Sequence, residues 1–90
     1  GAICAAPMVL ASTGILEGKK ATCYPGFEQY FSENTEYTAT LFQEDGNVIT
    51  GEGPAATLPY AYKILSYFVS KETVAALQDG MMYDHLMKSK

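Results

Sequence analysis

The residues at the start of the chain have the types and spacing of a reactive-thiol site. A short apolar run, Ala2-Ile3, leads into Cys4, and Pro7 stands three residues later. This pattern is typical of a buried strand that turns sharply into a helix with the cysteine at the bend, as in nucleophile elbows. A sulfur at such a bend lies near the positive end of the following helix, which favours thiolate over thiol. The pattern therefore predicts that Cys4 is a reactive thiolate rather than a buried packing residue.

Composition limits the classes of protein to which this chain can belong. Its 90 residues suffice for one domain at most, and 48% hydrophobic residues indicate a globular chain. No stretch approaches the roughly 20 apolar residues that span a bilayer, so we expect no membrane contact. A net charge of −4, with six lysines and no arginine, argues against a nucleic-acid partner. Two cysteines are too few for a disulfide scaffold and predict a reducing, cytoplasmic location.

Turn residues and hydrophobic spacing predict an order of strand, helix, strand, hairpin, helix and helix. Asp45-Gly46 favours a type I′ hairpin turn, in which both positions have positive φ. The helix starting at Leu58 has one apolar stripe, and Ser70 is a suitable N-cap for the next helix. The predicted elements are a strand ending at Cys4, a helix over 7–13, a strand over 20–24, a helical turn over 27–31, β-forming runs over 37–42 and 47–50, helices over 58–69 and 71–77, and a tail over 81–90. The residues predicted to form the buried stripe are Leu58, Ala61, Tyr62, Leu65, Phe68 and Val69.

This order of elements resembles the second half of an α/β sandwich. A parallel strand at residues 2–4 needs neighbouring strands, and the chain offers no opening strands that would bury both faces of such a sheet. We therefore expect residues 1–90 to be the C-terminal half of one domain. The N-terminal half would be another segment or a separate chain.

Three segments carry a resemblance to a known family. They are Ala2-Ile3-Cys4-Ala5-Ala6-Pro7, Gly18-Lys19-Lys20-Ala21-Thr22-Cys23-Tyr24-Pro25, and Asp45-Gly46-Asn47-Val48-Ile49-Thr50 followed by Gly53-Pro54. Together they resemble the ThiJ/PfpI superfamily, in the branch of the parkinsonism-associated protein deglycase. The resemblance covers about 80 residues.

The resemblance implies a flavodoxin-like, class I glutamine amidotransferase-like, three-layer α/β sandwich that forms a homodimer. It implies that Cys4 is catalytic and that a glutamate from the N-terminal half hydrogen-bonds to its sulfur. The backbone N–H of Ala5 would contribute to an oxyanion pocket. The activities that it implies are glyoxalase or deglycase chemistry on small 2-oxoaldehydes or their adducts, redox-responsive chaperoning and, in other branches, peptidase activity. No cofactor is implied.

Tyr24 stands where some relatives have a histidine before the proline of the second segment. A tyrosine is normally protonated at neutral pH, so it can donate a hydrogen bond but is a poor base. A protease-type cysteine–histidine dyad is therefore not expected. Because side chains alternate along a strand, we assign Tyr24 to the pocket and Cys23 to packing.

The remaining candidate residues are assigned structural roles rather than catalytic or metal-binding ones. His85, the only histidine, has no partner at metal-ligand spacing, so no metal site is expected. Glu52 lies in a turn and Glu72 in a first helical turn, and neither is assigned a catalytic role. The methionines are assigned to packing or to an interface.

Two functions remain open from the sequence. In the first, Cys4 attacks the aldehyde carbon of a 2-oxoaldehyde, and the product is a 2-hydroxy acid. In the second, Cys4 is a peroxide-sensitive sensor within a stress-response chaperone, because a thiol of low pKa is also prone to oxidation. A third interpretation, a self-contained binding module of ninety residues, would require the chain to fold alone.

Overall fold

Two small β-sheets form the centre of the chain, and the helices lie against and beside them. The structure is a computed structural model that describes residues 1–88. The strands are β1 (Ala2–Ile3), β2 (Lys20–Ala21), β3 (Glu36–Tyr37), β4 (Phe42–Asp45) and β5 (Val48–Gly51); the helices are α1 (Pro7–Ser12), α2 (Thr57–Leu65), α3 (Lys71–Gly80) and α4 (Tyr83–Lys88); and short 3₁₀ turns span Phe27–Tyr30 and Pro54–Ala56.

The larger sheet has the strand order β1-β5-β4, so β5 is its central strand. Strand β1 runs parallel to β5, with Ile3 opposite Gly51. A Cβ atom on Gly51 would lie 2.8 Å from Cγ1 of Ile3, so a side chain at position 51 would displace the Ile3 side chain. The absence of a Cβ at Gly51 thus leaves room for the Ile3 side chain beside β5.

The predicted hairpin is confirmed, but its turn lies one residue further along the chain. Asp45 pairs with Val48 in the antiparallel ladder of β4 and β5, so Gly46 and Asn47 form the two-residue loop. Gly46 has a φ of +61°, but neither Asp45 nor Asn47 is in the positive-φ region, so the predicted type I′ turn, which needs positive φ at both loop positions, is wrong. Asp45 instead extends the strand, and its carboxylate accepts a 2.8 Å hydrogen bond from the backbone N–H of Lys20.

The second sheet pairs β2 with β3 in parallel. The strand predicted over 20–24 ends at Ala21, because the backbone N–H of Thr22 donates to Oγ1 of Thr50 at 2.9 Å instead of to a strand carbonyl. This buried side-chain bond ties the end of β2 to β5 of the larger sheet. It therefore places residues 22–24 beside the C-terminal end of β1.

The buried stripe predicted for α2 is largely wrong. Tyr62 is buried, but Ala61 is exposed, and Phe68 and Val69 lie beyond the helix, which ends at Leu65. The residues that approach the larger sheet are Tyr60 and Ile64: a Cβ on Gly1 would lie 2.6 Å from Oη of Tyr60 and 3.2 Å from Cδ1 of Ile64. Tertiary packing thus selected a different face from the one that the spacing of leucine and alanine favoured.

Ser70 caps α3 as predicted, since its hydroxyl accepts a hydrogen bond from the N–H of Thr73 at 3.2 Å. The segment predicted as a tail over 81–90 is partly helical, because α4 forms within it. Tyr83 packs edge-on against Tyr62, with ring centroids 4.9 Å apart, and the Tyr62 hydroxyl contacts Sδ of Met81. These contacts stabilise α4, which the local sequence pattern did not indicate. Residues 89 and 90 of the predicted tail lie outside the described residues.

The main apolar cluster lies between α1 and the two sheets. Leu16, Ala21 and Val48 form its buried centre, and Leu10, Ala11 and Phe31 pack around them. Within residues 1–88, every helix is too short or too polar to cross a bilayer.

Candidate active site

Cys4 lies at the bend between β1 and α1, where the sequence pattern predicted it. Its φ is +66°, a conformation that residues other than glycine rarely adopt and that costs on the order of 1 kcal/mol. Two backbone hydrogen bonds hold this conformation: the Cys4 N–H donates to the Gly51 carbonyl at 3.0 Å, and the Cys4 carbonyl accepts from the Tyr24 N–H at 2.8 Å. The bend is therefore fixed from both sides by neighbouring backbone.

The backbone N–H groups of the residues after Cys4 differ in whether they already donate a hydrogen bond within the chain. The N–H of Ala6 donates to the Ile3 carbonyl at 3.1 Å, and Pro7 has no N–H. The N–H of Ala5 has no hydrogen-bond partner among residues 1–88. Ala5 thus presents a donor directly beside the Cys4 backbone, as an oxyanion contact requires.

A cavity of about 340 Å³ opens next to the elbow. Cys4 itself is not in its wall, but the wall includes Tyr24, whose N–H donates to the Cys4 carbonyl, and Glu52, which directly follows the Cys4-bound Gly51. The Tyr24 side chain is half-exposed, and its ring meets Phe27 edge-on with centroids 6.4 Å apart. The residues that line the cavity are Tyr24, Pro25, Leu41, Glu52, Gly53, Pro54, Ala55 and Ala56.

Cys23 differs from Cys4 in both burial and chemistry. It is 0% exposed, whereas Cys4 is half-buried. Burial raises the pKa of the Cys23 thiol to about 11, with smaller contributions from the carboxylates of Glu28 and Glu52. Cys23 is therefore a protonated packing residue at neutral pH, and Cys4 is the cysteine that reagents can reach.

His85 and the tail methionines are not among the residues that line the cavity beside Cys4. His85 is exposed on α4, and Met81 contacts the hydroxyl of Tyr62. Among residues 1–88, no three histidine, cysteine, aspartate or glutamate side chains lie close enough together to hold a metal ion.

Glu52, which the sequence assigns to a turn, lies in the cavity wall, and its backbone N–H donates to the Leu41 carbonyl at 2.9 Å. It directly follows β5, which pairs in parallel with β1, and parallel strands bring their C-terminal ends to one edge of a sheet. The pairing of β1 with β5 therefore brings Glu52 to the same edge as Cys4.

The fold and the bend define an α/β protein with a cysteine elbow. The model of the DJ-1/PfpI family matches residues 1–67, and the chain belongs to this family. The resemblance to ThiJ/PfpI proteins and the flavodoxin-like α/β fold are thereby confirmed.

Curated relatives agree with this assignment. Protein dj-1beta of Drosophila melanogaster is 38% identical over 82 residues, which are 90% of this chain and 44% of that protein. The Parkinson disease protein 7 homolog of Danio rerio is 33% identical over 79 residues, covering 86% of this chain and 42% of that protein. The chain thus spans less than half the length of these relatives.

Solved structures show the same fold. The crystal structure of Drosophila melanogaster DJ-1beta superposes with a TM-score of 0.82 at 37% identity, covering 90% of this chain and 45% of that one. A DJ-1 superfamily protein from Salmonella typhimurium has a TM-score of 0.74 at 23% identity, which supports the fold alone.

Proposed function

We propose that this chain carries the nucleophile of a cysteine-dependent glyoxalase or deglycase that acts on small 2-oxoaldehydes or their adducts. The observation that carries the proposal is the elbow itself: Cys4 is held at φ +66° beside an Ala5 amide that no other residue in the described chain engages. A strained nucleophile next to an unused donor is the arrangement that acyl-transfer and carbonyl-addition sites require.

The proposed reaction begins with addition of the Cys4 thiolate to the aldehyde carbon of methylglyoxal. A carbon–sulfur bond forms, and the carbonyl electron pair moves to oxygen, giving a hemithioacetal. The Ala5 N–H donates to the developing oxyanion, and one such donor contributes roughly 3 kcal/mol in comparable sites.

Proton transfer then completes the conversion. A carboxylate removes the proton from the former aldehyde carbon to give an enediol and returns it to the adjacent carbon, while the proton on the first oxygen passes to the second; the product is a thioester of lactate. Water hydrolyses this thioester, releasing lactate and restoring the thiol, so the net reaction is methylglyoxal plus water to lactate. The family resemblance implies that this carboxyl is a glutamate outside the present chain. Tyr24 would act as a hydrogen-bond donor at the cavity wall and not as the base, because a phenol is protonated at neutral pH.

The test measures lactate formation from methylglyoxal by the full-length protein and by its Cys4→Ala and Cys4→Ser variants. Cys23→Ala is the matched control, since Cys23 is a buried thiol of the same chain. We expect loss of activity in both Cys4 variants and near-normal activity in the control. Equal lactate formation by wild type and Cys4→Ala would refute the proposal.

The difference in exposure between the two cysteines supports a second function, a redox sensor within a stress-response chaperone. Peroxide can reach the half-buried Cys4 but not the buried Cys23, so oxidation would be selective. Mass spectrometry after mild peroxide treatment tests this alternative. Stoichiometric Cys4 sulfinate together with negligible lactate formation would favour the sensor, whereas inertness to peroxide together with turnover would favour the enzyme.

We further propose that the working unit contains the N-terminal half of the domain, either in the same polypeptide or as a separate chain, and that the complete domain is a cytoplasmic homodimer. The match to less than half the length of the relatives supports the missing half. Co-purification followed by native mass spectrometry tests both points. A cooperative melt of residues 1–90 alone at the monomer mass would contradict them.

A further inference from the structure

Among residues 1–88, the wall of the cavity beside Cys4 has only one sign of charge. Glu52 is the only charged residue in that range that lines it, and the other lining residues are apolar or glycine, apart from the hydroxyl of Tyr24. The Glu52 carboxylate has no hydrogen bond or ion pair within residues 1–88, so no lysine in that range neutralises it. A ligand entering this cavity therefore meets an uncompensated negative charge.

The aromatic part of the wall complements that charge. The Tyr24 ring is 46% exposed, and its Cδ2 atom would lie 3.5 Å from a Cβ on Gly53, so the ring stands against the backbone next to Glu52. An exposed ring and a carboxylate on one wall are the groups that attract ammonium and guanidinium ions, through the ring face and through direct charge attraction.

A second carboxylate contributes to the same field. Oε1 of Glu28 accepts a 2.6 Å hydrogen bond from the Gly26 N–H, which fixes the carboxylate close to the turn after Tyr24. The negative charges of Glu28 and Glu52 both raise the pKa of the Cys23 thiol, which directly precedes Tyr24. Both carboxylates therefore contribute negative potential at Cys23, the residue before Tyr24.

Backbone hydrogen bonds place Cys4 next to the residues of this negatively charged wall. Cys4 is hydrogen-bonded to Tyr24, which lines the cavity, and to Gly51, which directly precedes the lining residue Glu52. We propose that Glu52 and Tyr24 make the approach to Cys4 charge-selective, favouring carbonyl substrates that carry an ammonium or guanidinium group over anionic ones. This deepens the proposed function by naming its substrate class: 2-oxoaldehydes or adducts that carry a cationic group, in preference to anionic oxo acids.

Thiol modification tests the selectivity without requiring turnover. The full-length protein with Cys23→Ala is treated with cationic 2-(trimethylammonio)ethyl methanethiosulfonate or with anionic 2-sulfonatoethyl methanethiosulfonate. The Cys4 thiolate attacks the thiosulfonate sulfur, a disulfide bond forms, and methanesulfinate leaves. Mass spectrometry of the Cys4 peptide over time gives the rate of modification by each reagent. Each rate is divided by the rate at which the same reagent modifies 2-mercaptoethanol, which removes the difference in intrinsic reactivity between the reagents.

We expect a normalised cation-to-anion ratio of about ten, because the Glu52 charge accelerates one reagent and slows the other. Glu52→Gln should bring the ratio close to one, Glu52→Lys should invert it, and 0.5 M salt should shrink it. Glu33→Gln, which removes an exposed carboxylate outside the cavity wall, should leave the ratio unchanged. A wild-type ratio near one, or a ratio that survives Glu52→Gln, would overturn the inference.

Turnover provides a second measurement that separates this inference from the proposed function. Phenylglyoxal and its 4-trimethylammonio and 4-carboxy derivatives differ only in the charge of a remote substituent. Cys4-dependent turnover of all three at similar kcat/KM would refute the charge selectivity and leave the enzyme function intact. Absence of turnover, combined with a thiosulfonate ratio that depends on Glu52, would refute the enzyme function and leave the selective approach intact.

Discussion

Replacing Cys4 with glycine instead of alanine tests whether the elbow stores backbone strain. At most positions glycine is less stable than alanine by about 0.5–1 kcal/mol, because it loses more conformational entropy on folding. Cys4 has a φ of +66°, where a Cβ is disfavoured by roughly 1–2 kcal/mol. The strain term exceeds the entropy term, so Cys4→Gly should be more stable than Cys4→Ala by about 0.5–1 kcal/mol.

The comparison of these two variants cancels the loss of the thiol, because neither has one. Urea denaturation of the full-length protein gives the difference from the transition midpoints and their slopes. Ala39→Gly is a positive control, since Ala39 is exposed and has a φ of +54°, and it should also stabilise the protein. Ala76→Gly, at an exposed position within α3, should destabilise it by up to about 1 kcal/mol.

The sign of the stability difference between Cys4→Gly and Cys4→Ala decides whether the elbow is strained. If Cys4→Gly is less stable than Cys4→Ala while Ala39→Gly behaves as expected, the elbow holds no strain in solution. Backbone strain at Cys4 would then have no part in positioning its sulfur. A stability difference of the expected sign that is smaller than predicted would indicate that the hydrogen bonds to Gly51 and Tyr24 offset part of the backbone strain at Cys4.

Three further predictions concern stability. The free energy of unfolding should fall as pH rises between about 9 and 11, because the unfolded Cys23 thiol loses its proton near 9.0 while the folded thiol holds it to about 11. Cys23→Ala should lessen this fall relative to wild type in urea titrations across that range, and an unchanged slope would contradict the assignment. Thr50→Val should cost about 1–3 kcal/mol because the buried Thr22 N–H loses its acceptor; Thr50→Ser keeps a hydroxyl and should cost less, whereas equal losses would point to packing alone. Leu16→Ala, at a site 1% exposed, should cost about 2–5 kcal/mol in thermal and urea unfolding, while Ile15→Ala, at 49% exposure, should cost far less; similar losses would exclude the proposed core.

Local sequence signals predicted the elements whose geometry depends on a single residue type. Pro7 began α1, Gly46 formed the hairpin turn, and Ser70 capped α3. Each of these residues has a backbone or side-chain property that restricts the chain regardless of what surrounds it. The bend at Cys4 belongs to the same group, because a short apolar strand followed by a helix-starting proline leaves few other paths for the chain.

Tertiary contacts decided the features that depend on residues distant in the sequence. The end of β2 at Ala21 follows from the bond between Thr22 and Thr50, which are 28 residues apart. Helix α4 forms where Tyr83 can pack on Tyr62, although its own sequence shows no apolar period. The face of α2 that approaches the larger sheet was likewise set by the space beside Gly1 and Gly51, where the Tyr60 side chain lies, and not by the spacing of its leucines.

The amino-acid order alone determined that a cysteine stands at a strand-to-helix bend, because that bend is encoded within six neighbouring residues. Only the folded chain decided which groups surround it. Glu52 follows β5, which pairs with β1, and Tyr24 belongs to a non-strand segment whose N–H donates to the Cys4 carbonyl; such contacts depend on register between residues that the linear pattern does not relate. The cysteine at the bend was therefore visible from the sequence, whereas the residues that line the neighbouring cavity became visible only in three dimensions.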